Sequence, residues 1–260
     1  MRSVILLVLI FFFMNSYAQN YELKFRSTSH LTVDLHTQTN MSDKQINIIE
    51  KEFRRKVNHT YVLRMNSEES YYKAQKDGNG LSIVDMGVNL IIGKNNGGDI
   101  YKNLPDSTFV QQPTLSGDVY TIKDKFQPYA WELVDSTKTI KGYTCKLAKF
   151  PTNSDNNSIA NFRHGLDKKN GPHQGEVNVW YTEEIPISNG PDLYWGLPGL
   201  ILEADAGNTF YELIEITENP KDFKISHLED DGQVINHDDF QVVLKKWHDD
   251  LGEKFSKKKD

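Results

Sequence analysis

Residues 176–182 read "EVNVWYT" and decide the fold class. Val177, Val179 and Tyr181 fall on one side of an extended chain, and Asn178, Trp180 and Thr182 on the other. A period of two with one apolar face is the signature of a half-buried strand. The pattern recurs along the chain. Tyr61, Leu63 and Met65 alternate with Val62, Arg64 and Asn66, and further short runs follow: "TFVQQ" from 108, "DVYTIKD" from 118, "YAWELVDS" from 129, "GYTCKLAKF" from 142, "LILEA" from 200 and "TFYELIEI" from 209. Each is rich in β-branched and aromatic residues and is bounded by Gly, Pro, Asn or Asp. These runs predict a mainly β (α+β) protein built on a single curved antiparallel sheet or half-barrel.

Two segments carry the helical period instead. Within 42–57, Ser42 and Gln45 have capping-box spacing, and Ile46, Ile49, Phe53 and Val57 repeat at three and four, predicting one helix in the N-terminal half. Phe240, Val243, Leu244, Trp247, Leu251 and Phe255 predict a C-terminal helix packed on the sheet. Asp77-Gly78-Asn79-Gly80 and Asn95-Asn96-Gly97-Gly98 read as turns, and Asp231-Gly232 as the turn of a late hairpin spanning 223–235. The polar stretch 151–174, with five asparagines, reads as a long loop between paired strands.

The chain opens with Arg2, an apolar run over 4–14 and Ser16-Tyr17-Ala18, which predicts a signal peptide over 1–18 cleaved before Gln19. That run is too short to span a bilayer, which takes about 20 residues. The expected product, 19–260, is a single exported β domain of the periplasm or cell envelope with no transmembrane segment. The formal net charge is −6 over the whole chain and one unit more negative without Arg2, which argues against a nucleic-acid partner. Cys145 is the only cysteine, so no disulfide forms within the chain and burial must supply stability.

Residues 194–202, "YWGLPGLIL", place two glycines and a proline among apolar residues. Pro198-Gly199 fits the central positions of a type II turn, with a positive φ at Gly199, and Gly196 permits close backbone approach. Asn189-Gly190-Pro191 forms the turn before it. Gly190, Pro191, Gly196, Pro198 and Gly199 are therefore structural turn residues. The aromatic neighbours Trp180, Tyr181, Tyr194 and Trp195 are the candidate ligand-binding residues, either lining a cavity or packing as core.

"WEL" from 131, "KTIKGYTCKLA" over 138–148 and "VWYTEEIPISNGPDLYWGLPGLILEA" over 179–204 resemble, in this order, the GLPGLI family of secreted Bacteroidetes proteins. "YVLRMNSEESYYK" and the step Tyr101-Lys102-Asn103 match it more loosely. The resemblance implies no activity and no catalytic residues. The strand order with a helix laid against it is also similar to the half-barrel of periplasmic lipoprotein carriers.

No catalytic signature is present. His-Glu-x-x-His and Gly-x-Ser-x-Gly are absent, and His237 and His248 stand about 16 Å apart along a helix, too far to share a metal. No catalytic residue, metal or cofactor is expected. The leading expectation is a non-enzymatic binding protein for an apolar small molecule, a peptide or an outer-membrane partner. Two alternatives stand beside it. One is a hydrolase-like enzyme assembled from Tyr181, Glu183, Glu184 and the loop histidines His164 and His173. The other is a structural or assembly factor of an outer-membrane complex.

Overall fold

The computed structural model describes residues 19–29, 58–75, 94–115, 117–126, 129–152, 175–207 and 209–256. The helix expected over 42–57, the turn at 77–80 and all of the 151–174 loop except its first two residues lie outside them. The described chain forms twelve strands and one helix: β1 (Tyr21–Ser29), β2 (Asn58–Met65), β3 (Glu69–Ala74), β4 (Lys94–Asn103), β5 (Thr108–Leu115), β6 (Asp118–Lys125), β7 (Glu132–Ile140), β8 (Tyr143–Thr152), β9 (Gly175–Thr182), β10 (Leu200–Asp205), β11 (Thr209–Glu218), β12 (Gln233–Ile235) and α1 (His237–Ser256).

All twelve strands join one open sheet in the order β12-β6-β5-β4-β3-β2-β1-β11-β10-β9-β8-β7. Two antiparallel meanders, β1 to β6 and β7 to β11, meet where β1 pairs with β11. Every neighbour pair is antiparallel except β12 against β6. The expected alternation is realised in the ladder. Across β1, β2, β3, β4 and β5, Tyr21, Met65, Ser70, Lys102 and Phe109 form one cross-strand row. Leu23, Leu63, Tyr72, Ile100 and Gln111 form the next, and β6 extends it with Ile122. Every residue of these two rows is buried. Together they form the floor of the first core cluster, on which α1 sets Phe240 edge-on to Tyr120 at 5.2 Å.

A second cluster gathers Ala148, Phe150, Val177, Val179, Tyr181, Ile201, Ala204 and Tyr211 from β8 to β11. On β9 the alternate residue, Trp180, packs against the first cluster instead. β8 and β10 divide in the same way, with Cys145, Leu200 and Leu202 in the first cluster and Ala148, Ile201 and Ala204 in the second. Both faces of these strands are therefore covered.

Two turn expectations are corrected. Asn95 to Gly98 lie inside β4, where the β4–β5 register slips between Lys94 and Asp99. Pro113 on β5 has no N–H for the ladder, and at Gly98 (φ 80°) a Cβ would lie 1.9 Å from the Gln112 carbonyl oxygen. The glycines are there for a bulge and a close approach. Asp231-Gly232 closes no hairpin, because only β12 is a strand and it pairs with β6. Thr121 holds the segment to β6: its Oγ1 accepts from Asp231 N at 3.0 Å and donates to Asp231 O at 2.7 Å. The expected C-terminal helix is present as α1, with Asn236 Oδ1 accepting from Asp239 N at 2.8 Å as an N-cap.

Candidate functional site

Between β9 and β10 the chain makes a long excursion that returns onto its own base. Ile185 O accepts from Ile187 N at 2.8 Å and from Leu200 N at 3.1 Å, and Asn189 O accepts from Ile201 N at 2.9 Å. The apolar spacing explains the path: Ile185 and Leu193 enter the first core cluster, and Tyr194 and Leu197 enter the second.

The glycines of "GLPG" act differently from the sequence expectation. Gly199 does not have positive φ; the left-handed residue is Gly196, at φ 93°. Gly199 is required by contact, since a Cβ there would stand 2.0 Å from the Thr182 carbonyl oxygen. The type II turn at Pro198-Gly199 is thus replaced by a left-handed Gly196, whose N–H donates to Ser188 Oγ at 2.9 Å, and a strand entry pressed onto Thr182. Trp131 closes over Gly196, its Nε1 donating to Trp195 O at 2.8 Å. Gly190 is also tightly packed, with a Cβ position 2.8 Å from Ile201 Cβ.

Beneath the excursion lies Lys102, fully buried on β4. Its Nζ donates to Asn189 Oδ1 at 2.9 Å and to Gly190 O at 3.0 Å. Asn189 Oδ1 also accepts from Gly190 N at 2.9 Å, and Nδ2 faces Met65 Sδ at 3.7 Å. Desolvation lowers the Lys102 ammonium to about 7, with Asp192 opposing the shift. Asp192 is buried with φ 55° and accepts from Tyr211 OH at 3.0 Å. Two buried polar pairs, Lys102–Asn189 and Asp192–Tyr211, thus lie under the excursion, coupled by the charge of Asp192 acting on Lys102.

The four aromatic candidates do not form one site. Tyr181 and Tyr194 are buried in the second cluster, Tyr194 lying edge-on to Tyr211 at 6.1 Å. Trp180 and Trp195 are half-buried against the first cluster. Lys138 Nζ sits 4.4 Å from the Trp180 ring centre and also bonds Glu203, while Trp195 packs on Phe126 at 4.5 Å. A second half-buried aromatic pair stands just before β7, packed against the second cluster. Tyr129 and Trp131, 5.1 Å apart and both half-buried, lead into Leu133, whose relative exposure is 66%.

Of the residues of the enzyme alternative, Tyr181 and Glu183 meet through a side-chain hydrogen bond, and Glu183 also pairs with Lys146 at 2.7 Å. Glu184 accepts instead from Thr144 N at 2.7 Å, and both carboxylates are exposed while Tyr181 is core. His164 and His173 lie outside the described residues. His237 is buried at the start of α1, where desolvation lowers its pKa. Among the described residues no three potential metal ligands stand together, and no helix is long and apolar enough to cross a membrane. Cys145 is fully buried, and burial pushes its thiol up to about 11. The thiolate is the reactive form, so a disulfide reagent at pH 8 is expected to label Cys145 only after denaturant unfolds the chain.

Sequence reasoning missed Lys102, Asn189, Asp192 and Tyr211. The available signal was Lys102 itself, two residues from Ile100 and so on the same face of a strand as a core residue.

Residues 131–203 match a family model described as a protein of unknown function (Porph_ging). That span runs from Trp131 into β10 and contains the whole excursion. No curated protein matches the chain. Two structures of PNGF-II, in space groups C2 and P21, are similar in fold, with TM-scores of 0.50 and 0.51 at 13% identity. Each match covers 88% of this chain, but the chain spans only about a third of PNGF-II, 33% and 34% respectively.

Proposed function

We propose that the chain is an exported, non-enzymatic binding protein of the GLPGLI type, residing in the periplasm or cell envelope, and that its partner is an extended peptide segment of an envelope protein. The observation that carries this reading is the position of β7. Among the described residues it is the last strand of the open sheet, and it carries the exposed Leu133 two positions after Trp131. An end strand offers unpaired backbone donors and acceptors to an incoming strand, and apolar anchors beside it select the sequence. The β7–β8 register shift between Val134 and Thr137 bends the strand. That bend limits pairing to short segments and disfavours open-ended stacking of copies.

A peptide is preferred to an internal apolar ligand because Tyr181 and Tyr194 are packed core. The test is selection from a displayed library of random linear peptides, followed by titration of the best binder against wild type and Leu133→Asp. The substitution is expected to weaken binding at least tenfold and to leave Tm unchanged within about 1 °C, since exposed positions rarely affect stability. Equal binding by the variant, or a lipid retained by the purified protein in native mass spectrometry, would overturn the peptide reading.

A further inference from the structure

Lys102 has the donor inventory of a neutral amine in its site. A neutral lysine amine has two N–H donors and one lone pair, whereas an ammonium has three donors and no acceptor. Two oxygens receive its protons, Asn189 Oδ1 and Gly190 O, and both are uncharged. Directly across the ladder stands Ser70, whose buried hydroxyl has no hydrogen-bond partner among the described residues. The hydroxyl does not reach Nζ, so Ser70 gives no third acceptor to an ammonium.

Both oxygens that hold Lys102 belong to the 183–199 excursion, so the amine ties the excursion to the sheet. The charged groups around it are few. From the excursion, Asp192 faces the amine and is itself engaged by Tyr211 of β11. On β3, Glu69 and Tyr71 alternate away from the buried Ser70 and Tyr72. Glu69 there accepts from Tyr101 OH, and Tyr71 bonds Asp99. On β2, Arg64 points away from Met65 and pairs with Glu22. From β5 the buried Phe109 faces Lys102.

We propose that Lys102 is a proton-operated latch: as a neutral amine it holds the 183–199 excursion closed over the sheet, and protonation loosens it. The linkage has a definite sign. In the closed state the group titrates near 7, below its value of 10.5 in water, so an opened excursion binds the proton more tightly. Opening therefore becomes easier as pH falls from about 10 towards 7, by up to roughly tenfold per unit, and levels off below 7.

Hydrogen exchange in native conditions reads this directly from the amides of Tyr194, Leu200 and Ile201, which bond to Pro191 O, Ile185 O and Asn189 O within the excursion. After correction for the intrinsic pH dependence of exchange, their opening constant is expected to be roughly fifty- to a hundredfold larger at pH 6 than at pH 9. In Lys102→Met it is expected to be the same at both. The proposal is overturned if the wild-type constants do not change with pH, or if the variant keeps the wild-type slope. Should the variant not fold, the 13Cε shift of Lys102 in the wild-type protein decides instead. A midpoint near pH 7 supports the latch, and one in the ordinary lysine range overturns it.

Discussion

Gly199→Ala is expected to lower stability by about 4 kcal/mol, among the largest effects of any single substitution in the chain. The added methyl carbon would stand 2.0 Å from the Thr182 carbonyl oxygen, 2.7 Å from its carbon and 3.1 Å from Glu183 Cα. All three are backbone atoms at the end of β9, so no side chain can swing aside. Relief requires β9 and β10 to separate where Leu200 pairs with Thr182. Leu200, Ile201 and Leu202 follow at once and are all fully buried, so the shift would pull three side chains from two core clusters. For a chain of this size the loss corresponds to a fall in Tm of roughly 10 °C in a thermal melt. Gly196→Ala meets less, its nearest neighbour being Trp131 Nε1 at 3.4 Å, and its cost is mainly the positive φ, about 1 kcal/mol. If the two variants melt together, contact at Gly199 is not what the "GLPG" sequence encodes.

That contrast marks what was legible in the sequence. β2 and β5 to β11 were, because their runs place apolar residues at every second position, whereas β1, β3 and β4 were not read as strands. The apolar members of the rows from Tyr21 to Phe109 and from Leu23 to Ile122 obey a period of two, but Ser70, Lys102 and Gln111 enter them by register alone. The helix at 237–256 was legible for the corresponding reason. Register irregularities were not. Asn95 to Gly98 have turn chemistry, yet the next strand and its proline turn them into a bulge, an event set by a neighbour and not by local propensity. The 194–202 stretch was read as a turn, but which glycine carries the left-handed angle depends on Trp131 and Thr182, at least 14 positions away in the chain. Lys102 was hidden most deeply. A lysine in a strand is ordinarily solvated, and its partners, Asn189 and Gly190, are 87 and 88 residues further on.

Asn189→Ala is expected to cost about 3 kcal/mol, because one amide satisfies several buried groups at once. Its Oδ1 serves both Lys102 Nζ and Gly190 N, and the alanine leaves the amine with a single oxygen and the Gly190 amide with none. Each buried donor left without an acceptor costs about 1–3 kcal/mol, and the absent amide also leaves a small cavity beside Met65. Asn189→Asp has nearly the same shape and keeps both acceptor contacts, but it brings a carboxylate to the amine. An adjacent negative charge favours the ammonium, so Lys102 should titrate higher than in the wild type. In the wild type the folded-state value is depressed, so the unfolded chain holds the extra proton between about pH 7 and 10 and stability from this group rises over that window. In Asn189→Asp the rise should shrink. Denaturant melts at pH 7 and pH 9 separate the two variants: Asn189→Ala should be weaker than wild type at both, whereas Asn189→Asp should recover part of the loss at pH 7 and less of it at pH 9. If both variants lose stability equally at both pH values, Asn189 acts by shape alone and its hydrogen bond to Lys102 is energetically idle.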